Sequence, residues 1–244
     1  VDAALPSHNT GTGVDNTHKK IPRPDAPSLI VLDKKDGRLL AREREGIAPN
    51  IFHCTWSAPS MATVNGKKTI FFAGGNGIVY AFEALAKIPP PGEVATLRKI
   101  WQFAPDPTAP KQNVHQYNQN RREGPSNIYS MPVFVDGQIF FTVGGDLFWG
   151  KNEAWIKCIK ADGTGDVTPR AQVWSLPLDK HSVSSRAVID DLVFIADIGR
   201  KLYCLDRKTG QPHWSHQLRG EIWASPYVAD GKVFLRRRNR QGDF

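Results

Sequence analysis

The stretch from Leu202 to Phe234, LYCLDRKTGQPHWSHQLRGEIWASPYVADGKVF, limits what this chain can fold into more than any other. It reads as one cycle of a repeat: a strand, an Asp-Arg-Lys-Thr-Gly-Gln turn, and a strand carrying Trp214. A short loop follows, then a strand opening at Trp223-Ala224-Ser225-Pro226, an Ala-Asp-Gly-Lys turn and one more strand. Four short strands joined by tight turns cannot bury the faces of their own sheet, so such a unit must stack against copies of itself.

The copies are present. Trp56-Ser57-Ala58-Pro59 and Tyr129-Ser130-Met131-Pro132 repeat the Trp223–Pro226 opening, and Ser184-Ser185-Arg186-Ala187 is a degenerate version. Each is followed by an apolar strand and a tight turn: Asn65-Gly66, Asp136-Gly137, Asp190-Asp191 and Asp230-Gly231. Such dipeptides supply the positive φ that a two-residue hairpin demands. The closest spacing of the motif, from 187 to 226, matches the ~40-residue blade of a β-propeller. The wider spacings, from 59 to 132 and from 132 to 187, read as the same unit with insertions.

The bulk numbers agree. The 244 residues suffice for one all-β domain, and 21 Gly with 18 Pro argue for many turns and against a helical protein. No run of 18 apolar residues exists, so no transmembrane helix is expected. The chain starts at Val1 with no signal peptide in view and reads as a mature product or an excerpt. Of the net charge of +8, Arg236, Arg237, Arg238 and Arg240 form one run. Without interleaved aromatics the run reads as a solvated rim, and nucleic acid is not the expected partner. Cys158 and Cys204 occupy equivalent strand positions, which points to small buried core residues; none of the three cysteines has zinc-site spacing.

In order, residues 1–28 read as an extended polar arm or long loop and 29–244 as the repeats, with blade boundaries near 46–56, 106–128, 179–183 and 219–223. Strands are expected at 29–33 and 39–43; at 58–64, 68–75, 77–84 and 99–105; at 131–136, 138–144, 154–160 and 172–178; at 184–190, 192–197, 201–206 and 212–218; and at 224–229 and 232–237. The 85–98 stretch is an insertion. This pattern of two, four, four, four and two strands permits a ring of four blades closed by joining the two terminal pairs. It equally permits part of a larger, eight-bladed ring.

The residues Asp206, Gly210, Trp214 and Gly220 resemble the tryptophan-docking repeat of the quinoprotein (PQQ-like, quinoprotein alcohol dehydrogenase-like) propellers. Trp101 and Trp174 look like docking tryptophans behind insertions, and Ala41 stands where the first cycle would carry one. APSLIVLDKKDGRLL, NRREGPSNIYSMPVF and VGGDLFWGKNEAWIKCI are similar to PQQ-like repeat proteins of the bacterial envelope. The resemblance includes dehydrogenases that hold PQQ and calcium through Glu, Asn and Asp beneath an adjacent-cysteine disulfide. It also includes a non-enzymatic relative, the outer-membrane-barrel assembly lipoprotein. It implies a periplasmic or envelope location and an all-β propeller in which a tryptophan of one blade packs on the next. The sequence has no Cys-Cys pair and no stretch matching the calcium set, so no catalytic residue, metal site or cofactor is carried over.

In such a fold the loops after each second strand and between blades share one face, and the tight turns share the other. Most of the long insertions fall on the first face, where binding usually resides. That face gathers His53, His115, Arg121, Arg122, Glu123, Trp149, Lys151 and Asn152, a cationic set with an aromatic. Arginine forks suit carboxylates and phosphates. The expected function is a non-catalytic scaffold or binding module of the cell envelope, taking a protein partner or an anionic ligand on this face. The alternative is a PQQ- and calcium-dependent dehydrogenase.

Overall fold

Runs such as TIFFA and IFFTV are apolar on both alternating sides, which suits strands covered on both faces. In the computed structural model, which describes residues 13–15 and 19–237, these runs are strands between packed sheets. The strands are β1 (Ile30–Leu32), β2 (Leu39–Arg42), β3 (Ser60–Val64), β4 (Lys67–Ala73), β5 (Val79–Glu83), β6 (Ala95–Thr96) and β7 (Lys99–Phe103). They continue as β8 (Val133–Val135), β9 (Gln138–Gly144), β10 (Ala154–Lys160), β11 (Gly165–Asp166) and β12 (Gln172–Pro177). The last are β13 (Ala187–Ile189), β14 (Leu192–Ala196), β15 (Lys201–Asp206), β16 (Pro212–Gln217), β17 (Tyr227–Ala229) and β18 (Lys232–Phe234).

Three sheets contain a complete antiparallel four-strand meander: β3-β4-β5-β7, β8-β9-β10-β12 and β13-β14-β15-β16. β1–β2 and β17–β18 are two-strand pairs in separate sheets, with no ladder between them among the described residues. The fold is all-β, built of the stacked four-stranded sheets of a propeller. The hairpin turns adopt the required backbone, with φ of 48° at Asn65, 46° at Asp136, 51° at Asp190 and 48° at Asp230.

Two findings depart from the sequence reading. The first strands are shorter than expected. β3, β8 and β17 begin directly after Pro59, Pro132 and Pro226, because proline has no N–H to give the ladder. The insertions between third and fourth strands also carry short strands that cross to the neighbouring sheet. β6 pairs in parallel with β2, setting Ala95 opposite Ala41, and β11 pairs in parallel with β7, setting Gly165 opposite Trp101.

Successive side chains of one strand feed opposite cores. Phe71 and Ala73 of β4 pack with Phe141 and Val143 toward the third sheet, while Phe72 packs with Tyr80, Phe82 and Ala41 toward the first. Each Phe buried this way contributes about 2–3 kcal/mol. Phe140, Cys158, Trp174 and Ile195 fill the layer between the third and fourth sheets. Cys54, Cys158 and Cys204 are buried thiols. The described part of the arm packs Val14 and Ile21 into the layer beside Phe72. Arg238 and Arg240 lie outside the described residues.

The repeat openings bond from sheet to sheet. Ser57 Oγ donates to Ser130 O (3.0 Å), the Met131 N–H to Ser185 Oγ (3.3 Å), and Ser184 Oγ to Ala224 O (2.8 Å). Buried Arg186 donates to Phe140 O, and burial holds its pKa down to about 9.

Three tryptophans hold one structural position. Trp101, Trp174 and Trp214 stand opposite Ala81, Cys158 and Cys204, each next to a register shift in its pair of strands. Trp101 Nε1 donates to Ala161 O (2.9 Å), and Trp174 Nε1 to Arg207 O (2.9 Å). The ring of Trp174 lies on Gly210, whose φ is +73° and where an added Cβ would meet the indole at 2.5 Å. Only glycine fits a left-handed turn under a ring. Trp101 is 1% exposed, Trp174 8% and Trp214 45%. Asp206 shapes the turn that Trp174 covers, accepting the Lys208 and Thr209 N–H groups (3.0 and 2.7 Å). Gly220 lies in the bend before β17.

Candidate functional site

The loops between second and third strands open on one face, and each places a polar side chain within three residues of the end of the second strand. Asn76 Nδ2 donates to Tyr80 OH (2.8 Å), Tyr129 OH to Asp146 (2.6 Å), and Tyr203 OH to Asp197 (2.9 Å). A buried carboxylate requires such donors, since it has lost water.

Asp146 is the most engaged of the three. Its Oδ2 takes His53 Nδ1 at 3.0 Å as well as Tyr129, and its Oδ1 takes the N–H groups of Phe148 and Trp149, both at 2.9 Å. A carboxylate only accepts, so His53 carries its proton on Nδ1. Burial pushes the Asp146 carboxyl up, but the hydrogen bonds from His53 and Tyr129 outweigh it and hold the group below its usual range. Burial, with the neighbouring Asp146 charge next, pushes the Tyr129 phenol far up, so it remains a donor. Trp149 meets the His53 ring edge-on, with centroids 4.2 Å apart.

A second cluster is built on Asp106. Ser126 Oγ and Lys151 Nζ both reach its Oδ2 at 2.6 Å, Lys151 is also 3.2 Å from Glu153, and Lys111 Nζ donates to the Asp106 carbonyl (2.7 Å). Burial raises the Asp106 carboxyl, but Lys151 and Ser126 together bring it below its usual range. His181 Nε2 sits 3.1 Å from the Lys151 carbonyl, and burial lowers the His181 pKa.

The remaining residues singled out from the sequence fall around these clusters. Arg121 spends its guanidinium on the carbonyls of Leu147, Phe148 and Gly150 (3.3, 2.7 and 3.0 Å), and its own carbonyl accepts the Asn152 N–H (3.2 Å). The N–H groups of Arg122 and Glu123 both bond Asn120 Oδ1 at 3.0 Å. Arg122, Glu123 and Lys151 line one cavity of about 270 Å³ with Tyr117, Thr108 and Gly124. His115 lies apart from both clusters: its Nε2 bonds Ile51 O (2.9 Å), and burial lowers its pKa. The structure thus brings His53 together with Trp149, and Lys151 together with Arg122 and Glu123. Asp146, Tyr129, Asp106 and Ser126 went unread in the sequence. The signal available was positional: Asn76, Asp146 and Asp197 each follow a second strand.

An anionic ligand finds little free charge here, because Lys151 is paired with Asp106 and Glu153, and Arg121 is bonded to backbone. A calcium-held quinone is no better served. Calcium takes about six to eight oxygen ligands. Among the described residues no group of three or more His, Cys, Asp or Glu side chains is placed to hold a metal. Of the buried carboxylates, Asp106 and Asp146 are spent as above, Asp197 bonds Tyr203, and Glu43 accepts the Ser28 and Glu45 N–H groups. The residues present do not fit that group.

Comparison with known proteins gives the following likenesses. Residues 160–242 match the family model described as outer membrane protein assembly factor BamB. The matched stretch covers about a third of the chain and includes the sheet β13-β14-β15-β16. Among solved structures, BamB from Moraxella catarrhalis is similar at 13% identity over 93% of this chain and 56% of that one, with a TM-score of 0.49. The quinohemoprotein alcohol dehydrogenase from Pseudomonas putida HK5 is similar at 13% identity over 85% of this chain and 35% of that one (TM-score 0.49). That from Comamonas testosteroni gives 12% identity over 84% and 37% (TM-score 0.47). The chain therefore spans little more than half the length of the BamB structure and about a third of the dehydrogenases. No curated protein matches. No helix among the described residues is long and apolar enough to cross a membrane.

Proposed function

We propose that this chain is a non-catalytic propeller scaffold of the bacterial cell envelope that engages a protein partner through its long-loop face. The envelope setting draws on the family description over residues 160–242. In this reading Trp101 and Trp174 are docking residues that stiffen the stack beneath the binding face, Asp206 and Gly210 shape the turn that receives Trp174, and Trp214 and Gly220 belong to the same repeat.

The observation that carries the reading is the Arg121 clamp. Three hydrogen bonds from one guanidinium fix the Leu147–Gly150 loop, while Asp146 holds the same loop from beneath. A loop built in advance loses little conformational entropy when a partner arrives. On its surface Phe148 is exposed beside exposed Arg122, Glu123 and Asn152. An aromatic within a charged rim has the composition of protein interfaces.

The test is site-specific photo-crosslinking in the envelope fraction. A crosslinker at Asn152 is expected to capture one discrete protein, and Phe148→Asp is expected to abolish the adduct. A crosslinker at exposed Thr164, on the turn side, is expected to capture none. Equal labelling from both positions, or none from Asn152, contradicts the proposal.

A further inference from the structure

The 84–98 segment joins β5 to β7, where the fourth sheet has only the Asp206–Gly210 turn between its third and fourth strands. Its middle reads Lys87-Ile88-Pro89-Pro90-Pro91-Gly92-Glu93. A residue before proline is confined to extended or polyproline II backbone, and each proline fixes its own φ at about −65°. Ile88 to Pro91 therefore forms a ridge of polyproline II character. Pro91 and Gly92 then occupy the middle of a turn, closed by the Glu93 N–H on Pro90 O (3.1 Å) with Gly92 at φ +87°.

The ridge is fixed by the chain itself. Arg38 Nη1 donates to Pro89 O and Pro90 O (3.3 Å each), and Nη2 to Pro89 O (3.5 Å). Arg121 holds the Leu147–Gly150 loop in the same way. Beyond the turn, β6 pairs with β2, and Leu97 is buried in the layer between the first and second sheets. Between these anchors the apolar groups face outward: Ile88 is 63% exposed, Val94 42%, and Pro90 and Pro91 are exposed. Lys87 is exposed at the start of the ridge. At its foot, exposed Lys67 and Lys68 line a hollow of about 400 Å³ with Leu85 and Glu83. None of these three lysines is in an ion pair among the described residues, whereas Glu83 is paired with Arg98.

We infer that the Ile88–Pro91 ridge is a docking element for a second protein, one whose groove is lined by aromatic rings and rimmed by carboxylates. Proline rings pack on Trp and Tyr faces, and a segment already in polyproline II loses little entropy there. The Arg38 anchor lowers that loss further. The lysines beside the ridge set the sign of the rim, since charges across an interface are complementary. The ridge lies on the turn side of the sheets. The inference goes beyond the proposed partner on the long-loop face and does not depend on it.

Photo-crosslinking from exposed Ala86 in a whole-cell lysate tests it, with a synthetic peptide of residues 85–94 (LAKIPPPGEV) as competitor. One adduct is expected, and the peptide in large excess is expected to remove it, because the ridge owes its conformation to its own prolines. Mass spectrometry is expected to place the crosslink in a partner segment that contains Trp or Tyr. Pro90→Ala combined with Pro91→Ala is expected to lower the adduct yield at least about tenfold, as loss of central anchors does. Lys87→Glu is expected to lower it too, and by less at high salt. Phe148→Asp is expected to leave the yield unchanged, which separates this partner from the one on the long-loop face. Circular dichroism verifies that each variant is folded; if the double variant is not, competition by the peptide decides. No adduct, an adduct that the peptide does not displace, or one that persists in the folded double variant overturns the inference. So does a crosslink to another segment of this chain.

Discussion

The two sides of the stacked sheets are held by different physics. On the turn side the buried joints between sheets are indoles, Trp101 on the Ala161 backbone and Trp174 on Gly210, with the ion pair of Arg207 and exposed Asp136 at their rim. On the loop side the joints are buried charges. Asp146 ties the 145–153 loop to His53 and Tyr129, and Asp106 ties Lys151 to Ser126. The apolar joint recurs because each unit must bury its face against the next. The charged joint does not recur with the same partners, because each long insertion finds its own. The stack repeats, and the charged joints of the face it presents do not.

The largest test of that contrast is Trp101→Ala. Removing an indole with 1% exposure leaves a cavity in the layer between the second and third sheets, with an expected cost of about 4 kcal/mol by chemical denaturation. A loss under about 1 kcal/mol breaks the turn-side half of the comparison. Asp146→Asn keeps the shape but removes a charge with five hydrogen-bond donors around it. The expected loss is about 3 kcal/mol, read as a lower thermal midpoint. The smallest effect belongs to Arg121→Ala. Its bonds lie near the surface, so global stability is expected to fall by about 1 kcal/mol. Amide exchange at Phe148–Asn152 is expected to rise well beyond what global unfolding allows. A uniform rise along the chain contradicts a local clamp.

The same contrast explains what the sequence made legible. The repeat openings, the Asn-Gly and Asp-Gly hairpins and the doubly apolar runs announce stacked sheets, because strand period and turn stereochemistry are local properties. β6 and β11 stayed hidden. Two-residue parallel pairings such as Ala95 with Ala41 have no room for a pattern of their own. The starts of β3, β8 and β17 were placed two or three residues too early, since the motif proline cannot join the ladder. The loop face was legible as a place but not as a network. Lys151 and Asp106 are 45 positions apart, and His53 and Asp146 are 93 apart. Only the folded sheets bring them within hydrogen-bond distance. Even so, the parallel placement of Asn76, Asp146 and Asp197 after three second strands was a repeat signal in its own right.

The most direct measurement is the urea midpoint between about pH 3 and pH 7 for wild type, Trp101→Ala and Asp146→Asn. The folded carboxyl of Asp146 sits below its unfolded value of 3.8, so its contribution is complete above that value and is lost as pH falls through the folded one. The gap between the wild-type and Asp146→Asn curves is therefore expected to narrow as pH falls below 3.8, while Trp101→Ala stays offset from wild type by a constant amount. Three parallel curves, or convergence of Trp101→Ala instead, contradict a fold seamed by indoles on one side and ionised carboxylates on the other.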